Sequence, residues 1–226
     1  PADPSLPGPY SSGVILGISS DISGGFPRIH KDTYGRAIAA SVPSGSSGTL
    51  RVIIVYGPTA ASAPRFSSSP HGLKEERALV KFISDETDAA YRRNSPVLIL
   101  GDMNSFPSAS LDCLGGNYVL REASVASSFV GLGATDSFRF RHPELKAFSY
   151  VHSNGTASRL DQIWFLPHPS SPVSILHAAL LDDSQFRRDH LIPLLDLAVS
   201  SPSVPAPPSA HKSWKYLSSI IEDDSK

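Results

Sequence analysis

The feature that most constrains the fold is an unbroken apolar run at residues 96–100, which ends in Gly101 and Asp102. Strands that are covered on both faces read as continuous hydrophobic runs rather than as alternating ones. We therefore expect this segment to be an inner strand of a layered fold.

Several other apolar segments alternate with turns and predict further strands. The β-branched run at residues 50–56 and the run at residues 36–42, separated by a turn at residues 43–48, predict a hairpin. In residues 73–91, apolar side chains recur three and four apart, which indicates an amphipathic helix. Further strands are predicted at residues 13–18, 148–151, 160–166, 173–181 and 191–199. The sequence predicts an α/β domain dominated by strands, with two packed sheets and helices outside.

The composition bounds the class of protein. The chain has 226 residues, of which 40% are hydrophobic, and this suits a large domain with a sizeable core. Its formal net charge of -1 gives no global attraction to polyanions, so nucleic acid would have to contact local cationic clusters. The single cysteine, Cys113, excludes an internal disulfide and suits a reducing compartment. No apolar run reaches the roughly 18 residues of a membrane span, so no membrane association is predicted.

The domain is expected to occupy residues 1–199. Residues 200–210 are rich in Pro and Ser and predict a linker. Apolar residues at helical spacing in residues 211–226 indicate the start of a following helical region. The chain begins with Pro1 and not with Met, and we expect it to be a fragment that lacks its front.

Asp102 and Asn104 follow the inner strand and are two residues apart. In extended backbone such side chains face the same way, so a carboxylate and an amide would share one face. The carboxylate can orient or deprotonate a water, and the amide can hydrogen-bond that water or a phosphate oxygen. A plain turn is the competing interpretation, because Asp and Asn both favour turns.

Two further segments offer carboxylates and a histidine. Asp189 and His190 precede the last predicted strand, where they could bind a divalent cation and a phosphate oxygen, or form a solvated charged loop. Asp161 stands near the start of another strand, where it could bind a histidine ring nitrogen and fix its tautomer. Pairing of Asp161 with Arg159, or capping of a backbone amide, is the alternative.

Tyr56 ends the strand at residues 50–56 and is followed by Gly57, Pro58 and Thr59. Pro58 stiffens the turn, so the Tyr56 hydroxyl would be held at a strand end, from which it could reach a phosphate. A tyrosine of the core is the competing interpretation.

A cationic stretch lies at residues 134–150. It carries Arg139, Arg141, His142 and Lys146 among aromatic residues. Such a mixture suits phosphate binding or base stacking, or else a solvated surface loop.

The order of these segments is more specific than any one of them. A Tyr-x-Pro strand end, a Gly-Asp-x-Asn strand end, a Ser-Arg-Leu-Asp-x-Ile strand and an Asp-His strand start follow one another. The set resembles the endonuclease/exonuclease/phosphatase superfamily over residues 13–199. Within it, residues 135–165 look most like the endonuclease domains of non-LTR (LINE-type) retrotransposons, because they contain Asp-x-Phe-Arg, His-Pro, Phe-Ser-Tyr and Ser-Arg-Leu-Asp.

The resemblance implies a fold and roles for five residues. The fold would be a four-layer, DNase I-like sandwich of two mainly antiparallel sheets flanked by helices, without the first strand and helix. Asp102, helped by Asn104, would orient or deprotonate the attacking water. His190 would contact the scissile phosphate, with Asp161 fixing its ring. Tyr56 would hydrogen-bond the phosphate.

The resemblance also implies a metal ion and a substrate groove. Asp189 would lie at the site of Mg²⁺, or of Mn²⁺ in its place. Arg139, Ser158 and Thr59 would lie near the substrate. The family's principal metal ligand is a Glu for which residues 1–12 offer no counterpart, so we expect weak magnesium binding. Arg188 stands where the family usually has Ser.

The leading hypothesis is a magnesium-dependent endonuclease that nicks double-stranded target DNA for retrotransposition. By the same resemblance, it would be fused to a reverse transcriptase and be nuclear. One alternative is a phosphomonoesterase or phospholipid phosphodiesterase on the same fold. The other is a catalytically silent, nucleic-acid-binding remnant, which the missing Glu favours.

Overall fold

The structure, a computed structural model, describes residues 13–19, 28–44, 48–58, 70–115, 125–169, 173–182 and 189–199. Thr59, Arg188, the predicted linker at residues 200–210 and the predicted helical region at residues 211–226 lie outside these stretches. None of the helices in the described stretches is long and apolar enough to cross a membrane.

The first half of the described chain builds a sheet beside one long helix. Its elements are β1 (Ile29–Lys31), β2 (Ala37–Ser44), β3 (Gly48–Tyr56), α1 (Pro70–Tyr91) and β4 (Val97–Asp102). β2 and β3 form the predicted antiparallel hairpin, and β3 runs parallel to β4. Parallel neighbours need a long crossover, which α1 supplies.

The second half adds short strands and helices and then two long strands. They are α2 (Ala109–Asp112), β5 (Cys113–Leu114), α3 (Val125–Gly131), β6 (Thr135–Asp136), α4 (Ser137–Arg141), β7 (Tyr150–Val151), β8 (Ala157–Ser158), β9 (Asp161–Leu166), β10 (Val173–Leu181) and β11 (Ile192–Val199). The last four strands predicted from the sequence are confirmed as β7, β9, β10 and β11.

The strand predicted at residues 13–18 is wrong. Residues 13–19 have no regular secondary structure, and the Ile15 side chain is 91% exposed. An apolar run becomes a strand only where a neighbouring strand accepts its backbone hydrogen bonds, and no described strand does so here.

The fold is a mixed α/β arrangement of several mainly antiparallel sheets with helices beside them. The largest sheet has six strands in the order β1-β2-β3-β4-β9-β6. The described residues add a pair, β10-β11, and a small sheet, β5-β8-β7, where we had expected two sheets in all. β11 lies against β9, and α4 lies against β10, so the β10-β11 pair packs onto the large sheet.

The predicted inner strand, β4, has β3 on one side and β9 on the other. Val97 and Ile99 are buried, but Leu98 and Leu100 are only partly buried. The expectation that β4 is buried on both faces is therefore wrong for the face that carries Leu98 and Leu100. Only the face with Val97 and Ile99 packs into the hydrophobic core.

The core lies between α1 and the large sheet. Leu79 and Ile83 stand four residues apart on one face of α1 and are fully buried, as are Ile53 and Ile99 of the sheet. Complete burial of one such side chain stabilises the fold by roughly 1.5–3 kcal/mol. This rigid layer carries the strand ends at which the predicted site residues stand.

Candidate active site

Three of the predicted site residues stand in one row across neighbouring strands. Tyr56 is paired with Asp102 across the parallel strands β3 and β4. Asp102 is paired with Asp161 across the antiparallel strands β4 and β9. Since neighbouring strands are roughly 4.8 Å apart, the row spans about 10 Å. The register of the sheet, and not their spacing in the chain, brings these residues together.

Two glycines let the backbone close up at this edge of the sheet. A Cβ on Gly101 would lie 2.0 Å from the carbonyl oxygen of Val55, and one on Gly57 would lie 2.1 Å from that of Met103. Gly101 also has a φ of +139°, which side chains rarely tolerate. Any larger residue at either position would displace the backbone on which Asp102 stands.

Asp102 and Asn104 form a turn. Asn104 has a φ of +47°, and its N–H donates to Asp102 Oδ1 at 2.8 Å. Its side-chain amide donates to the carbonyl oxygen of Gly57 at 3.0 Å. The expectation of extended backbone with both side chains on one face is therefore wrong, because Asp and Asn readily stabilise a tight turn. Asn104 instead ties the end of β4 to the segment after β3.

His190 is bound to Asp161. Its Nδ1 lies 2.7 Å from Asp161 Oδ2, and its side chain is 32% exposed against 14% for the carboxylate. With Nδ1–H donated to the carboxylate, Nε2 lies on the opposite side of the ring, away from Asp161. This contact is one of the two alternatives that the residues left open for Asp161, and it is the one that the family resemblance implies. The sequence-based alternative, a pair between Asp161 and Arg159, does not form, since Arg159 binds Asp112 and Asp136.

The surroundings shift the pKa values of both reactive groups upward. The hydrogen bond to Asp161 raises the pKa of His190, burial opposes this, and the charges of Asp161, Asp102 and Asp189 add to the rise. Burial raises the pKa of Asp102, the N–H of Asn104 opposes this, and the Asp161 charge raises it further, against His190. A carboxylate with a raised pKa is a stronger base, and the imidazolium persists to higher pH.

A magnesium site is not complete in the described part of the chain. Asp189 is exposed beside His190, in a position from which it could contribute an oxygen ligand. However, no three His, Cys, Asp or Glu side chains among the described residues converge as ligands would. Asp161 is engaged by His190, and Asp102 by Asn104. The described residues alone therefore do not complete a magnesium site, and the roles of Asp102 and His190 are derived without the ion.

Arg139 and Ser158, which the family resemblance places near the substrate, both have contacts within the protein. The Arg139 guanidinium binds Asp112 and donates to backbone carbonyls of three residues, Leu111, His142 and Leu145. Ser158 is 1% exposed, and its hydroxyl lies 3.3 Å from His152 Nε2. Both side chains support the structure, because their polar groups are occupied within it.

Two residues that received no role from the sequence lie directly against the His190–Asp161 pair. Ser149 bonds to the backbone at Asp161, and Tyr150 forms a bridge with His190, with ring centroids 4.5 Å apart. They belong to the Phe-Ser-Tyr motif, which the sequence connects only to the family resemblance. No spacing rule connects it to residues 161 and 190, which lie in other elements.

The sheets and the helices beside them form an α/β fold of the DNase I-like type. Among solved structures, the chain is similar to an AP endonuclease from Archaeoglobus fulgidus, with a TM-score of 0.55 and 18% sequence identity, covering 78% of this chain and 72% of that chain. It is also similar to the 3' phosphatase NExo from Neisseria bound to a product DNA hairpin, with a TM-score of 0.50 and 23% identity, covering 76% of this chain and 72% of that chain. No family profile and no curated protein sequence matches the chain. At these identities, the likeness is one of fold.

Proposed function

We propose that this chain hydrolyses phosphodiester bonds in nucleic acid, with double-stranded DNA as its substrate. The observation that carries the proposal is the His190–Asp161 contact of 2.7 Å, placed in the same strand-end row as Asp102 and Tyr56. With His190 bound to Asp161, this edge of the sheet carries a base, an oriented imidazole and a phenol, which we propose act on one phosphate.

In the proposed reaction, a water oxygen bonds to phosphorus as the P–O bond to the leaving sugar oxygen breaks. Asp102 accepts the proton of the attacking water, its raised pKa making it a stronger base than an exposed carboxylate, and the leaving oxygen takes a proton from solvent. His190 donates from Nε2 to a phosphate oxygen and stabilises the developing negative charge. Asp161 keeps the ring oriented, as the third member of a catalytic triad does. Tyr56 hydrogen-bonds the phosphate.

The choice of DNA has two supports. One similar structure is described as an AP endonuclease, and another contains a product DNA hairpin. The motifs in residues 135–165 resemble retrotransposon endonucleases. On that resemblance we propose nicking of target DNA for retrotransposition, fusion to a reverse transcriptase and a nuclear location.

On the family resemblance we also propose Mg²⁺ as the cofactor, which when bound would offset the negative charge of a phosphodiester undergoing hydrolysis. Asp189 is the residue we propose for it. The described residues do not complete its ligand set. Adding EDTA therefore tests whether cleavage requires a metal ion, whereas the side-chain variants test the roles of Asp102 and His190.

The proposal is tested with supercoiled plasmid and Mg²⁺. We expect nicking by the wild-type chain, its loss in EDTA, and a fall of about 100-fold or more in Asp102→Ala and His190→Ala. Asp85→Ala is the matched control, because Asp85 is an exposed carboxylate paired only with Lys81 among described residues. Its nicking rate should equal that of the wild type.

Two outcomes contradict the proposal. An intact plasmid together with hydrolysis of a phosphomonoester or a phospholipid would assign the chain to the other enzyme class. Binding of plasmid without cleavage, unchanged in Asp102→Ala, would make it a silent nucleic-acid-binding protein.

A further inference from the structure

Ser149 lies between the two segments that carry Asp161 and His190. It is 1% exposed. Its hydroxyl oxygen accepts the N–H groups of Leu160 and Asp161, both at 2.9 Å. Its carbonyl oxygen accepts the N–H of Leu191 at 2.6 Å. One buried residue is thus bonded to the backbone on both sides of the His190–Asp161 pair.

No common ladder of the described strands joins the two members of this pair. Asp161 begins β9 of the six-stranded sheet, whereas His190 precedes β11 of the β10-β11 pair. The ladder of neither sheet therefore sets the distance between them. A hydrogen bond of 2.7 Å between such groups requires a connection that fixes both backbones.

The contacts of Ser149 and its neighbour supply this connection. A serine hydroxyl has two lone pairs, and two N–H donors occupy both of them. Tyr150 continues the connection, because it bridges to His190 and its ring lies 4.5 Å from the imidazole. Alanine in place of Ser149 would retain the carbonyl bond to Leu191 but remove both bonds at the start of β9.

We infer that Ser149 is a positioning residue that holds the Asp161 carboxylate at hydrogen-bonding distance from His190. For its effect on catalysis, this inference rests on the proposed function. A misplacement of about 1 Å in a reacting group can cost about 100-fold in rate, so losing the hydroxyl lowers turnover without removing a group that touches substrate.

The test compares Ser149→Ala with Ser137→Ala. Ser137 is the matched control because it is 2% exposed and its hydroxyl donates to the carbonyl oxygen of Ile163, at 2.7 Å, on the same strand β9. Both variants lose a buried hydroxyl that bonds to the backbone of β9. Only Ser149 bonds at Asp161.

Two readouts distinguish positioning from a general loss of stability. The first is plasmid nicking with kcat and KM separated, measured on folded protein well below the melting temperature. We expect Ser149→Ala to lower kcat by about 10- to 100-fold with KM nearly unchanged, and Ser137→Ala to leave both unchanged. The second is the proton NMR signal of His190 Nδ1–H, recorded in EDTA. We expect its downfield position in the wild type and in Ser137→Ala, and its shift or loss in Ser149→Ala.

The outcomes separate this inference from the proposed function. If Ser149→Ala retains wild-type kcat and the wild-type Nδ1–H signal, the positioning role is wrong. If the wild type cuts no plasmid, the proposed hydrolysis fails, and the NMR comparison alone decides on positioning. If Ser149→Ala does not fold, Ser149→Cys takes its place, because a thiol has a similar size and is a weak acceptor. An unchanged Nδ1–H signal in Ser149→Cys would then overturn the role.

Discussion

The imidazole of His190 faces three carboxylate charges, those of Asp161, Asp102 and Asp189, and Asp161 binds it directly. This contact fixes the position of one ring proton, because Nδ1–H donates to the Asp161 carboxylate. It also raises the pKa of His190 above its ordinary value of 6.5. A test of the contact therefore needs no substrate and no metal.

Asp161→Asn removes the charge and keeps the size of the side chain. In EDTA, we expect the pKa of His190 to fall toward its ordinary value, since the largest cause of the rise is lost. Plasmid nicking should fall by about 100-fold or more. NMR titration of the His190 ring protons measures the first effect, with Asp85→Asn as the control. An unchanged pKa in Asp161→Asn would show that the pair does not form in solution.

Gly101 is the second residue at which we expect a single substitution to have a large effect, here on the free energy of unfolding. Gly101→Ala would force a Cβ to 2.0 Å from the Val55 carbonyl oxygen in a backbone conformation at φ +139°. We expect a loss of about 2–4 kcal/mol in the free energy of unfolding, combining backbone strain and overpacking. Urea denaturation measures it.

Gly131→Ala is the control for Gly101→Ala. A Cβ on Gly131, at the end of α3, meets no atom within 4 Å. Alanine there should be neutral or stabilising by about 0.4–1 kcal/mol. Equal stabilities for the two variants would mean that β3 and β4 do not approach each other as closely as described.

At the scale of elements, four charged side chains join α2, α4 and the segment before β9. Arg159 is fully buried and binds Asp112 and Asp136, while Arg139 also binds Asp112. Asp136 in addition caps α4, because its carboxylate accepts the N–H of Phe138. The charges of the four groups balance, because two guanidinium groups face two carboxylates.

Asp112→Ala breaks this network and leaves two guanidinium groups with too few partners. We expect the free energy of unfolding to fall by about 3–5 kcal/mol, because a buried charge is left uncompensated. Asp85→Ala removes a carboxylate from an exposed pair with Lys81 and should cost less than about 0.5 kcal/mol. Chemical denaturation of both variants makes the comparison. A small effect of Asp112→Ala would show that water reaches the network.

At the scale of the whole molecule, two ion pairs on different elements set the pH range of greatest stability. Glu86 of α1 accepts hydrogen bonds from His30, at 2.7 Å, and from Arg51. Burial alone would raise the pKa of Glu86, but these two partners outweigh it and leave the pKa below 4.5. Glu86 therefore contributes stability above pH 4.5, which is lost as the pH falls through its lower folded pKa.

His190 has the opposite effect to Glu86 on the pH dependence of the free energy of unfolding. Its folded pKa is raised above 6.5, so its contribution is complete below pH 6.5 and is lost as the pH rises through the folded pKa. Asp102, whose pKa burial raises, likewise favours the acid side. In EDTA we expect the combined contribution of Glu86 and His190 to be greatest between pH 4.5 and 6.5, while that of Asp102 declines as the pH rises from 3.8 through its folded pKa.

Urea denaturation across a pH series checks this range. Glu86→Gln should reduce the loss of stability below pH 4.5, and Asp161→Asn should reduce the loss above pH 6.5. If each variant changed the free energy of unfolding equally at low and at high pH, then the Glu86 and His190 pairs would not act separately on stability, and the prediction would be wrong.

Local patterns in the chain were sufficient to locate most elements and the polar groups at their ends. The hairpin, the amphipathic helix α1 and the inner strand β4 follow from apolar spacing over a few residues, because burial of one face selects that spacing. Asp102 and Asp161 were found in the same way, as polar residues at the ends of apolar strands. Residues 13–18 show where this reasoning ends, since a strand also needs a partner that no local pattern provides.

Contacts between segments far apart in the chain were decided by the tertiary structure alone. Spacing in the sequence cannot predict the 2.7 Å between Asp161 and His190, the ion pair of Arg139 with Asp112, or the bonds from Ser149 to the segments at the starts of β9 and β11. Each of these contacts depends on sheet register and on how the sheets pack, because a shift of one residue would turn the side chains to the other face. The chain's own pattern therefore determined which chemical groups stand at the strand ends, and the packing determined which of them meet.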